Sequence, residues 1–306
     1  MINLEKIRNK NLPLTKNGHV ASYIPALARV KADQLGIVIY DLDSNQLQSV
    51  GQSQVRFAIE SISKVITLLY AIKQRGFEEV NSRVNTRQSG FAFNSILNLE
   101  IEHEKKPLNP FINAGAIMTT SLIKPQDNLT PFEQILAFAQ EICHDPELSL
   151  DEEIFYSEDE TGDVDRSLAY YLKAHMMIQD NVTDSLRTYF KQCSMKVTAT
   201  SLANLGAVLA NDGIKPWDNE RIISSQAATF VKSLMMTTGL YNESGVYSAR
   251  MGLPTKSGVG GGLMSAAPHK CGIGVFSPPL DKDGNSVAGL SVLNELSDEL
   301  NLDIFK

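Results

Sequence analysis

Strand-forming segments stand near both ends of this 306-residue chain and helix-forming segments fill its middle. That distribution limits the fold more than any single residue does. Two separated strand groups bury their apolar faces most simply in one antiparallel sheet, leaving the helical stretch between them as a second lobe. The N-terminal group is explicit. Leu35 to Leu42 reads LGIVIYDL, the turn-forming Asp43-Ser44-Asn45 follows, and LQSVG comes next, which is a hairpin pattern. The C-terminal group lies beyond about residue 245. Ile273 to Phe276 forms a short strand, and Asp283-Gly284-Asn285 turns into a second strand over Val287 to Val292. A last helix is expected over Leu293 to Leu302.

Between them the period changes to that of a helix. From Ser61, the residues Ile62, Val65, Ile66, Leu69 and Ile72 recur at helical spacing, and Gly76 stands where a helix would end. Thr130-Pro131-Phe132-Glu133 is a capping box with proline at the first helical position, and the apolar run Ile135 to Ile142 follows it. Further helices are expected over Arg166 to Met177 and over Ala199 to Ala210, the latter closed by Asn211-Asp212-Gly213. The expected class is α+β. One domain spans residues 1–306, with an α/β lobe of about 1–60 plus 225–306 and a helical lobe of about 61–224.

Bulk properties exclude several roles. The formal net charge is -7 and no long basic run is present, which argues against nucleic-acid and anionic-membrane partners. The first residues, MINLEKIRNKN, lack the apolar stretch of a signal peptide, and no run of 18 apolar residues occurs, so a cytoplasmic location and no membrane span are expected. Cys143, Cys193 and Cys271 are widely spaced, and His19, His103, His144, His175 and His269 form no HExxH, so no metal site is expected.

The chemistry concentrates at Ser61-Ile62-Ser63-Lys64, an S-x-x-K element at a helix start. One helical turn sets positions i and i+3 on one face. A serine hydroxyl needs a base to remove its proton, and a lysine serves once burial or a nearby cation lowers its pKa. The helix start also offers a free backbone N–H to an oxyanion. Ser121-Leu122-Ile123-Lys124 repeats the pattern, but only the first copy follows a strand and opens an apolar helix. A second element, Lys256-Ser257-Gly258, precedes a glycine-rich stretch that reads as a strand and lets a ligand approach closely. S-x-x-K with a later K-[ST]-G is the pairing of serine β-lactamases and penicillin-binding proteins.

A third stretch, Pro107 to Ile117 (PLNPFINAGAI), follows SGFAFNS at Ser89 to Ser95. Together with FAIESISK the chain resembles the serine-dependent glutaminases, which have a β-lactamase-like fold. The likeness extends through VASYIPALA, YSEDETGD, YFKQCS, GLYNESG, PTKSGVGGG and FSPPLDKDGNSVAG. It implies hydrolysis of L-glutamine to L-glutamate and ammonia through a serine acyl-enzyme, no cofactor, and a homo-oligomer, either dimer or tetramer. By motif, Ser61 is the nucleophile, Lys64 its base, and the N–H groups of Ser61 and Val259 the oxyanion hole. Tyr23, Asn113, Glu158, Tyr189 and Tyr241 match substrate-site positions. Glu158 would hold the α-ammonium, and Tyr189 or Tyr241 would relay protons.

Two positions depart from the family pattern. Glu60 stands where glutamine is common, and Val164-Asp165 stands where Arg-Asn is usual. The matching asparagine contacts the substrate's α-carboxylate. An aspartate there sets like charge against like charge, at a cost of about 4 kcal/mol for ~4 Å and an effective dielectric of ~20, before relaxation. Asp165 therefore leaves open an acyl-enzyme amidohydrolase with another small amide as substrate. A non-catalytic binding relative is the alternative from a different class.

Overall fold

The structure is a computed structural model that describes residues 2–100 and 106–306. Its main sheet has five strands, all antiparallel. Across its width they are Gln46–Gly51, Gly36–Asp41, Cys271–Phe276, Gly262–Ala267 and Thr255–Gly258. The two ends of the chain thus meet at the pairing of Gly36–Asp41 with Cys271–Phe276, with Ile39 opposite Ile273. The first hairpin turns as expected at Asp43 to Asn45. Asn45 takes a φ of 55°, and its side chain accepts a hydrogen bond from the Tyr40 hydroxyl at 2.6 Å.

The helix Ala199–Ala210 lies against this sheet and coincides with the sequence expectation. Small residues allow the approach. A Cβ added at Gly274 would lie 1.9 Å from the Ala199 carbonyl oxygen, and one at Gly272 would lie 2.1 Å from the Ala203 oxygen. Backbone cannot yield as a flexible side chain does, so Gly274→Ala should destabilise the fold by about 3 kcal/mol. Thermal unfolding of the variant should show a midpoint several degrees lower; an unchanged midpoint would mean that helix and sheet can separate freely. On the opposite side of the sheet, Val287–Glu299 packs with Leu4–Asn11 around Ile37, Ile273, Leu293 and Leu296.

That last helix corrects the reading of Val287 to Val292 as a strand and of Leu293 as a helix start. A short apolar run does not by itself distinguish a strand from a buried helix. Ser286 decides locally, because its side chain caps the helix by accepting from the Gly289 N–H. The hairpin partner of Cys271–Phe276 is instead Gly262–Ala267, so the glycine-rich stretch contributes a turn at 259–261 and then a strand. The helix expected over Arg166 to Met177 runs Asp163–Ala174, three residues earlier at each end.

The remaining helices bury a large shared core, and Ser63–Arg75 is its central member. Nine of the helix's residues are buried, and Gly76 ends it at a φ of 86°. Asn113–Ser121 and Val182–Cys193 flank it. The capping box at Thr130 is present, with Thr130 and Glu133 each bonding the other's backbone N–H. Among the described residues, no helix is long and apolar enough to cross a membrane. His103 lies outside the described residues.

Candidate active site

Ser61 occupies a single 3-10 turn, Glu60–Ile62, between the short strand Phe57–Ala58 and the helix Ser63–Arg75. It is 8% exposed and faces a cavity of about 220 Å³. Six of the nine candidate residues line that cavity: Tyr23, Ser61, Asn113, Glu158, Asp165 and Tyr189. They come from five separate segments of the chain. Tyr23 stands at the rim, 59% exposed, whereas Tyr189 is a wholly buried wall.

Lys64 lies one turn beyond Ser61 and is 1% exposed. Its Nζ donates to Asn113 Oδ1 at 2.7 Å and to the Phe111 carbonyl at 3.3 Å. The hydrogen bonds of Lys64 among the described residues do not include Ser61. Burial pushes the Lys64 ammonium below its ordinary range, while Cys193, Asp165, Glu158 and Glu60 hold it partly up. Asn113 is fixed in turn, because its Nδ2 donates to Asp165 Oδ1 at 2.8 Å. The PLNPFINAGAI segment folds so that Asn109 Oδ1 accepts from the N–H groups of Phe111 and Ile112. Gly115 is required there, since a Cβ would lie 1.9 Å from the Asn109 carbonyl. That turn aims the Phe111 carbonyl and the Asn113 amide at Lys64.

Tyr241 approaches from an adjoining cavity, which it shares with Phe93 and Phe111. Its backbone holds a φ of 52°, and its hydroxyl donates to the Ser257 carbonyl at 3.4 Å. Burial raises its phenol pKa, and the Ser61 hydroxyl opposes that rise. Burial likewise raises the Tyr189 phenol well above its ordinary range. Both are therefore neutral proton donors near pH 7.

Val259 lies in the turn between Thr255–Gly258 and Gly262–Ala267 and packs with Ala58 rather than lining the main cavity. The turn presses on the Ser61 segment, because a Cβ at Gly260 would meet the Ala58 oxygen at 2.1 Å. Lys256 is fully buried. Its Nζ donates to Ser257 O at 2.6 Å and Gly239 O at 3.3 Å, and it stands 4.7 Å from the Tyr241 ring centroid. Desolvation first, and Lys64 second, lower its pKa strongly. Burial depresses both lysines, and Lys64 less strongly, because Cys193, Asp165, Glu158 and Glu60 act to raise its pKa.

The rival S-x-x-K separates clearly. Ser121 Oγ donates to the Met118 carbonyl at 2.7 Å within its own helix, and Lys124 is paired with Asp180. Neither residue lines the Ser61 cavity.

Glu60, Phe93 and Cys193 are among the cavity residues that carry no role from sequence reasoning. Glu60 was visible only as a departure from the family pattern. The Phe93 ring lies 5.0 Å from that of Tyr241, tilted by 40°, and 5.9 Å from Lys64 Nζ. Glu158, which the family resemblance marks as a substrate-site position, lies in the helix Glu152–Thr161 and is 7% exposed. One ligand atom each from Glu60, Glu158 and Cys193 lies within 4.8 Å of the others. No sequence spacing brings these three together. Burial raises the Cys193 thiol well above its ordinary range, so it is a poor metal ligand and a poor nucleophile. The cavity can thus bind a small polar molecule between an acidic wall and the Ser61 hydroxyl.

The Glutaminase family profile matches residues 18–305. Glutaminase 1 of Clostridium perfringens is 58% identical over 305 residues, covering 100% of this chain and 99% of the relative. Among solved structures, the probable glutaminase ybaS superimposes with a TM-score of 0.91 at 35% identity, covering 100% of both chains. Bacillus subtilis glutaminase YbgJ, solved as a covalent complex with 5-oxo-L-norleucine formed from 6-diazo-5-oxo-L-norleucine, gives 0.88 at 35% identity over 98% of each chain.

Proposed function

The chain belongs to the glutaminase family and has its β-lactamase-like fold, and from that premise we propose that it hydrolyses L-glutamine to L-glutamate and ammonia through an acyl-enzyme on Ser61. The observation that carries this reading is the cavity in which Ser61, one turn ahead of a buried and pKa-depressed Lys64, meets Asn113, Glu158 and Tyr189. The covalent adduct of the related YbgJ glutaminase supports a nucleophilic route.

In this mechanism neutral Lys64 takes the Ser61 proton as Oγ attacks the side-chain amide carbon. The backbone N–H groups of Ser61 and Val259 receive the developing oxyanion. The C–N bond breaks as the nitrogen gains a proton through Tyr189 or Tyr241, and ammonia leaves. Water then attacks the γ-glutamyl ester, releasing glutamate and restoring Ser61. Glu158 holds the α-ammonium, while Tyr23 and Asn113 position the rest of the substrate.

Asp165 favours a second reading, an amide without a free α-carboxylate. Its carboxyl faces the cavity, and burial raises its pKa against the opposing pull of Asn113, Lys64 and Arg166. Ammonia release from glutamine, asparagine and glutamine blocked at the α-carboxylate separates the two. The glutaminase reading requires the free amino acid to be the best substrate. Asp165→Asn keeps an acceptor for Asn113 and removes the charge. It should lower KM for glutamine by about tenfold, which needs only ~1.4 kcal/mol, with a smaller change in kcat. An unchanged KM in steady-state kinetics would mean that Lys64 and Arg166 already compensate the charge.

A further inference from the structure

Glu60 is 3% exposed, and its Oε1 is buried with no hydrogen-bond partner among the described residues, although the side chain lines the cavity. Its backbone is held at a φ of 50°, an uncommon conformation for a residue with a side chain. Glu158 faces it, with carboxyl oxygens of the two within 4.8 Å, and is bonded by the Ser194 hydroxyl at 3.4 Å. Two buried carboxylates this close do not both ionise readily. We propose that Glu60 and Glu158 form one acidic cradle, which shares a single proton while the cavity is empty and releases it on taking up the substrate's α-ammonium. This rests on the glutamine reading, and it makes Glu60 a second determinant of substrate binding beside Glu158.

The exchange balances. A carboxylic acid, a carboxylate and an incoming ammonium become two carboxylates around one ammonium, with one proton passed to solvent. The titratable groups around Glu60 are Lys64 from the following helix, Glu158 and Asp165 from the helices that carry them, Tyr189 and Cys193 from Val182–Cys193, and Tyr23 and Tyr241. Lys64 is the only cation among them, and its ammonium is already bonded to Asn113 and Phe111. Burial raises Glu60 to about 8, with Asp165 adding to the rise and Lys64 opposing it, and Glu158 is also raised by burial and by Glu60. Below that pH the ammonium must displace the shared proton. Substrate affinity should therefore strengthen as pH rises from 6.5 towards 8, by at most about tenfold per unit.

The test is calorimetric titration of L-glutamine into the Ser61→Ala protein, which retains the cavity without turnover. Two buffers of different ionisation enthalpy give the protons released. At pH 7 the release should be roughly 0.5 to 1 proton per glutamine, and Kd should fall about three- to tenfold between pH 6.5 and 7.5. In Ser61→Ala/Glu60→Gln, release should drop below about 0.2 proton and the pH dependence below about twofold. A proton coming from Lys64 would persist in that variant. Equal release in both proteins overturns the proposal. So does the absence of release from Ser61→Ala alone, which requires no second variant to fold. If the unmutated protein frees ammonia from glutamine while Ser61→Ala binds it without release, only the cradle is wrong. If glutamine is neither bound nor hydrolysed, the glutaminase reading falls and the cradle with it.

Discussion

Ser61→Ala should abolish ammonia release from L-glutamine, with a loss of roughly four orders of magnitude or more in kcat, the range seen when an acyl-enzyme nucleophile is removed. The hydroxyl is the only group lost, and Ser61 remains within a 3-10 turn whose backbone bonds do not depend on its side chain. The variant should therefore unfold at nearly the same temperature, since a single hydroxyl contributes about 1 kcal/mol. The control is Ser121→Ala. Its hydroxyl only caps a carbonyl within its own helix, remote from the cavity, so activity should be retained. A coupled ammonia assay with thermal melts on all three proteins decides the matter. A dead Ser121 variant beside an active Ser61 variant would assign the nucleophile to the wrong S-x-x-K.

Lys64→Arg should be nearly as damaging, and for a different reason. The proposed base must lose its proton before it can accept one from Ser61. Burial makes that possible for Lys64, whose pKa lies below the usual lysine value. A guanidinium does not deprotonate in proteins. The sign of the pH dependence follows. Protonated Lys64 is inactive, so activity rises with pH through the depressed pKa and levels off above it. Cys193, Asp165, Glu158 and Glu60 all raise that pKa. Removing one negative charge with Asp165→Asn should shift the rising limb towards lower pH. Steady-state rates from pH 6 to 10 test both points. Near-normal turnover by Lys64→Arg would rule out lysine as the base, and an alkaline shift in Asp165→Asn would contradict the electrostatic coupling.

Much of the architecture was legible because it is set by neighbouring residues. The Asp43 to Asn45 turn, the Thr130 capping box, the Gly76 terminus and the turn of helix from Ser61 to Lys64 each depend on a few adjacent side chains. Local signals also misled. Val287 to Val292 satisfies a strand pattern, and only the cap at Ser286 and burial against the sheet's outer face make it a helix. In the acidic run Glu158-Asp159-Glu160, the helix Glu152–Thr161 turns the Glu158 carboxyl inward and leaves Glu160 exposed.

The sequence by itself determined which residue types could do chemistry and where the first hairpin, the Thr130 capping box and the Gly76 helix end lie, because capping, turn geometry and periodicity act over a few residues. Tertiary structure decided that the first S-x-x-K shares a cavity with Asn113, Glu158 and Tyr189, and which charges surround each buried lysine. It also decided that Glu60, Glu158 and Asp165 share one enclosure. The physical reason is that protonation in a buried site depends on desolvation and on charges a few ångströms away in space. Those charges belong to segments up to about a hundred residues apart, and only the packed helices bring them together.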